Sequence, residues 1–175
     1  SSLKMMIIPS MKILAAEIYQ KFIDQSNEDD EIKLFYILSY TYKSLLDSGN
    51  VEYANSYLKL ATDLYDQLKS SSKLDLILVQ LVIWQAQFEI SQNNDFNKAL
   101  EIIKEFTEHY KIKSTFLISF IYEKSMESQS IDWIKYSLSL INSYSDFPNE
   151  WRIQIEYLLA NFYINNNEPD NSLKY

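Results

Sequence analysis

The sequence predicts an all-α fold, a right-handed α-solenoid of stacked helical hairpins. Three observations predict it. One glycine and three prolines in 175 residues leave too little punctuation for the turns of an all-β fold. Apolar residues recur at helical spacing on both sides of a single bend, Asp47-Ser48-Gly49-Asn50. Small residues recur early in the second helix of successive pairs, where two helices must approach closely.

In chain order, residues 1–10 read as a lead-in segment and 11–175 as helical repeats, part of a longer array. Pro9 and Ser10 mark a helix start, with Ser10 as the cap. Met11, Leu14, Ala15, Ile18 and Phe22 give the helix over about 11–25 its apolar stripe, and Ser26-Asn27 ends it. The acidic run Glu28-Asp29-Asp30-Glu31 opens the next helix, where carboxylates meet the positive end of the helix dipole. A straight helix start does not supply the curved loop of oxygen ligands that a cation site needs. Phe35, Leu38, Ser39, Tyr42, Leu45 and Leu46 then share one face. Gly49 is placed to tolerate φ > 0 at the helix end, and Asn50 to cap the returning helix. On that helix Val51, Ala54, Leu58, Ala61, Leu64, Tyr65 and Leu68 line the inner face.

Ser70-Ser71-Ser72 separates this hairpin from a helix over about 73–92. Its apolar run from Leu74 to Trp84 continues through Gln85-Ala86-Gln87-Phe88-Glu89, past ordinary strand length. Apolar residues all round imply burial on both sides. Asn93-Asn94-Asp95 is a turn, with Asp95 capping a helix over 96–110 that places Ala99 where Ala54 stood. Ser114 caps the next helix, with Phe116, Leu117, Phe120 and Ile121 as its buried side. Gln129-Ser130 leads into a helix from Ile131 to about Tyr144, which carries Trp133. Pro148-Asn149-Glu150 opens a helix in which Trp151, Ile153, Ile155, Leu158, Leu159, Phe162 and Tyr163 crowd together. A last turn at Asn165–Pro169 precedes Asn171–Tyr175, the first turn of a further helix.

The second-helix starts align as Val51-Glu52-Tyr53-Ala54, Phe96-Asn97-Lys98-Ala99, Ile131-Asp132-Trp133-Ile134 and Pro169-Asp170-Asn171-Ser172. Their separations are about 45, 35 and 38 residues, against the roughly 34 of a regular tetratricopeptide (TPR) array. The hairpins are therefore degenerate TPR-like repeats, with Ile134 standing where a small residue is expected. No pair buries its faces alone, and stacking completes the core.

Composition narrows the function classes. The formal net charge is -8 and no Lys/Arg cluster interrupts it, so direct nucleic-acid binding is not expected, while a basic partner peptide is permitted. There is no cysteine, which removes disulfides and thiolate metal sites and fits an intracellular protein. The first eight residues lack a signal-peptide run, and the apolar stretch Leu76–Trp84 falls short of the roughly 20 residues that span a bilayer, so no membrane association is expected.

Chemistry-bearing motifs are sparse. His109, flanked by Glu108 and Tyr110, sits near a helix C-terminus, where a cation suits the dipole. It has no second histidine or cysteine with which to build a site. One glycine cannot form a phosphate-cradling loop, and no serine has a G-x-S-x-G elbow. No enzymatic activity, cofactor, metal or small-molecule substrate is expected. The residues of interest lie off the core stripe. Tyr36, Tyr40, Lys43 and Asp47 form a polar-aromatic face on one helix, and Gln80 and Gln87 form a similar face on another. In helix-pair solenoids such faces line the groove where peptides or partner helices dock, so these six are the candidate partner-binding residues.

Three segments carry a family resemblance. They are Leu38-Ser39-Tyr40-Thr41-Tyr42-Lys43 with Asp47-Ser48-Gly49-Asn50 and the later Ala54 and Ala61, then Asn93-Asn94-Asp95-Phe96-Asn97-Lys98-Ala99, then Ile131-Asp132-Trp133-Ile134-Lys135-Tyr136-Ser137-Leu138. Over about 11–146 the chain resembles the TPR-like region of meiotic crossover scaffolds, the yeast Zip-four/Spo-twenty-two type with its mammalian testis-expressed counterpart. Trp133 and Ser137, early in their helix after a short polar turn, come closest to that pattern. The resemblance implies a nuclear, chromosome-associated scaffold without activity of its own. Such proteins link crossover factors, including an XPF-like junction-binding pair, to synaptonemal complex assembly. Two alternatives stay open: a helical-repeat subunit of a cohesin loader, proteasome lid or signalosome-type complex, and the regulatory helical part of a larger enzyme.

Overall fold

A computed structural model of the chain describes residues 28–68, 72–144 and 147–166. Expectations for the lead-in, the helix over 11–25 and the segment 171–175 lie outside these residues. Among the described residues every regular element is helical: α1 Glu28–Asp47, α2 Val51–Leu68, α3 Ser72–Asn93, α4 Phe96–Tyr110, α5 Thr115–Ser128, α6 Ile131–Asn142 and α7 Asn149–Asn165. The chain divides into two compact units, Ser1–Asn93 and Asn94–Tyr175. The expected pair of helices over 73–92 and 96–110 spans that division.

In the first unit α1 packs on both α2 and α3. Gly49 closes α1 with φ +83°. The Asn50 N–H donates to the Leu45 carbonyl at 2.9 Å and the Gly49 N–H to the Leu46 carbonyl at 3.1 Å, the paired bonds of a Schellman motif. Asn50 does not cap with its side chain, which donates to Ser48 Oγ at 2.7 Å; its carbonyl accepts the Ala54 N–H at 2.9 Å. Phe35, Leu38, Tyr42, Leu45 and Leu46 are buried, as is Ser39, whose hydroxyl donates to the Phe35 carbonyl at 2.7 Å. Ala54 and Ala61 are fully buried. Val51 is exposed instead, and Leu58, Tyr65 and Leu68 are half-buried, while Tyr57 takes a core position. The Tyr65 hydroxyl donates to Asp75 Oδ1 at 2.6 Å and ties α2 to α3.

On α3, Leu74, Ile77, Leu78, Leu81, Val82 and Ala86 are buried. Leu76 is 61% exposed, so the helix is not covered all round as its composition suggested. The span Leu74–Asn93 is long and apolar enough by length and composition to cross a membrane, longer than the run Leu76–Trp84 indicated. Of this span 44% is buried within the protein, where it packs against α1 and α2. Tyr40 and Lys43 of α1 meet Trp84 of α3, and the ends of both helices border one cleft. The C-terminal ends of α1 and α3 therefore lie together, and the two helices touch directly.

In the second unit the expected caps form. Asp95 Oδ1 accepts the Lys98 N–H at 2.9 Å, and Ser114 Oγ accepts the Leu117 N–H at 3.3 Å. Trp133 is fully buried, and its indole N–H donates to the Phe96 carbonyl at 2.8 Å, joining α6 to the start of α4. Thr107 and Tyr136 share a 2.6 Å hydrogen bond between the same helices. Helix α6 packs against both α5 and α7. Ile118, Ile134, Leu138, Ile141, Ile155 and Leu159 form the core there, so Ile134 fills a fully buried place rather than a small-residue contact. Phe116 is 52% and Ile153 59% exposed, against the expectation that both are buried. Each lies beside a residue that took the core position, Leu117 and Ile155 respectively. Helix α6 also ends at Asn142, short of Tyr144. Lacking glycine, this half of the chain turns at Asn94, Lys111 and Gln129 with φ of 49°, 53° and 49°.

Candidate partner-binding face

The structure gathers most of the expected site residues where α1 and α3 lie side by side. Tyr36 and Tyr40 are one helical turn apart, 44% and 55% exposed, and their rings stack at 5.8 Å with planes 7° apart. The Tyr40 ring meets Trp84 edge-on at 5.5 Å. Lys43 Nζ stands 2.9 Å from Asp47 Oδ1 and 5.9 Å from the centre of the Trp84 ring. The ammonium thus has a carboxylate on one side and a negative ring face on the other.

Beyond Trp84 the two helices leave an open cleft of about 250 Å³. Lys43, Asp47, Trp84, Gln87 and Phe88 line it, and Gly49 and Val51 close its end. Gln87 therefore shares the cleft with Lys43 and Asp47 of α1. Gln80 is half-buried on α3 and does not line the cleft. Trp84 is half-buried at the centre of the face, not in the core to which its apolar neighbours assigned it. Its spacing carried the signal: four residues after Gln80 and three before Gln87, it lies on their stripe of α3. Behind the face, burial and then the charge of Glu89 push the Tyr42 hydroxyl well above the usual tyrosine range, so it stays neutral.

These groups are suited to recognition: exposed ring faces, one ammonium, one carboxylate and side-chain amides. Among the described residues no group of three or more His, Cys, Asp or Glu is placed to hold a metal ion. His109 is exposed in the last turn of α4, its ring edge-on to Tyr110 at 4.5 Å. The chain matches no family model, no curated protein and no solved structure.

Proposed function

We propose that this chain is a non-enzymatic scaffold for protein–protein interaction, built of TPR-like hairpins, and that a partner segment docks on the α1–α3 face. One observation carries the reading. Tyr36, Tyr40 and Trp84 form a continuous aromatic ridge across two adjacent helices, exposed along α1 and bordered by an ion pair and an amide. Aromatic anchors with a polar rim are the composition of protein-binding hot spots, and tyrosine contributes area at little entropic cost. Exchanging both tyrosines, Tyr36→Ala with Tyr40→Ala, removes anchors that are largely outside the core. The expected outcome is loss of partner binding with the melting temperature within a few degrees of the parent. Retained binding would place the partner elsewhere.

The specific form of the proposal is the meiotic one, resting on the resemblance in segments 38–50, 93–99 and 131–138. In that form the scaffold couples crossover formation to synaptonemal complex assembly on nuclear chromosomes. Affinity capture from meiotic and vegetative extracts tests it. Crossover and synapsis proteins enriched only in the meiotic sample are expected. Proteasome-lid, signalosome or cohesin-loader subunits in both samples would replace the meiotic form and leave the scaffold reading standing.

A further inference from the structure

We infer that the cleft at the C-terminal ends of α1 and α3 takes an arginine side chain from the docked segment, so that the partner is a basic, amphipathic peptide. This rests on reading the α1–α3 face as a docking face. A cation already occupies the position: Lys43 lies between Asp47 and the Trp84 ring. That pair is exposed and lies within one helix, the weakest class of ion pair. A guanidinium brings what an ammonium lacks, a planar fork for the carboxylate and a flat face for the indole. Trp84, Phe88 and Val51 supply apolar wall for its aliphatic stem.

Electrostatics at this end of the unit favour the same occupant. Helices α1 and α3 both finish beside the cleft, and neither has a basic residue in its last turn to offset its carbonyl end. The N-terminus of α2 opens there too, but Glu52 in its first turn opposes that positive end. Among the described residues Asp47 is the one acidic and Lys43 the one basic side chain in the lining, and Asp47 is the more exposed of the two. The chain as a whole carries -8, which steers basic partners toward it and repels acidic ones.

The test uses a fluorescein-labelled twelve-residue peptide with leucines on one helical face and arginines beside them. Two twins replace each arginine with citrulline or with glutamate, and binding is read by fluorescence anisotropy. The arginine peptide is expected to bind the parent chain about tenfold tighter than the citrulline twin, and more weakly as salt rises. Asp47→Lys and the milder Asp47→Asn are both expected to lower its affinity, with melting temperatures unchanged, and Lys43→Ala is not. The inference is overturned if the glutamate twin binds as well as the arginine peptide, if both Asp47 variants bind like the parent, or if no peptide binds. The double variant Tyr36→Ala with Tyr40→Ala separates the two levels. A peptide that binds without regard to charge but is lost with the tyrosines leaves the docking face and removes the arginine. Binding that survives the loss of the tyrosines removes the docking face itself.

Discussion

At the scale of single residues, Gly49 and Ser137 make opposite demands. Gly49 holds φ +83°, and a Cβ built there meets nothing within 4 Å. Gly49→Ala therefore loses backbone freedom and no packing, and is expected to lower the unfolding free energy by roughly 1–2 kcal/mol in denaturant melts. The reverse exchange at Gln129, where a side chain sits at φ 49°, is expected to stabilise by up to about 1 kcal/mol. Ser137 is fully buried and its hydroxyl has no hydrogen-bond partner among the described residues, unlike Ser125, which reaches the Ile121 and Trp133 carbonyls at 2.7 and 2.9 Å. Ser137→Ala removes an unsatisfied group and is expected to raise stability by about 1 kcal/mol, with the same melts as the check. Tyrosines give a pH dependence. Burial raises the Tyr42, Tyr57, Tyr122, Tyr136 and Tyr144 hydroxyls above their ordinary value. The unfolded chain then releases these protons first. Stability is present in full below about pH 10 and falls as pH rises beyond it. Melts between pH 8 and 11 should show that decline, and Tyr42→Phe should lessen it.

At the scale of elements, close approach of α1 and α2 depends on Ala54 and Ala61, both fully buried. Ala54→Leu forces extra volume between the helices and is expected to cost about 1–3 kcal/mol. A melt unchanged from the parent would contradict the close packing of this hairpin. Much of the element structure was legible in the residues for local reasons. Gly49, Asp95 and Ser114 act through bonds to residues at most four positions away, and such bonds are written in short stretches of sequence. Burial was less legible because it depends on which neighbour arrives. Leu76, Phe116 and Ile153 are apolar at helical spacing yet exposed, since periodicity gives a stripe its width and not its cover. Trp84 departs in the same direction, half-buried at the face although its apolar run placed it in the core. Its apolar neighbours Ile83 and Leu81 turn inward, and one residue further around the helix the ring reaches the face of α1.

At the scale of the molecule, each of the two units holds core residues of its own and each exposes apolar side chains. In the first they include Tyr36, Ile37, Tyr40, Val51 and Leu76; in the second, beside Phe116 and Met126, Ile153, Tyr157 and Ile164 follow one side of α7. The candidate site was half legible. Tyr36, Tyr40, Lys43 and Asp47 share one helix, so their common face followed from spacing alone. Which residues of α3 would join them depended on how α3 packs on α1, two elements further along the chain, and no local pattern states it. That packing selected Gln87 and Trp84 and left Gln80 aside.

The central claim is that a partner docks on the α1–α3 face, and hydrogen exchange with and without the captured partner tests it most directly. The account predicts that added protection falls on the amides of 36–47 and 80–92 and vanishes with Tyr36→Ala and Tyr40→Ala. Protection confined to 149–165, with 36–47 unchanged, would contradict it and move the site to the second unit.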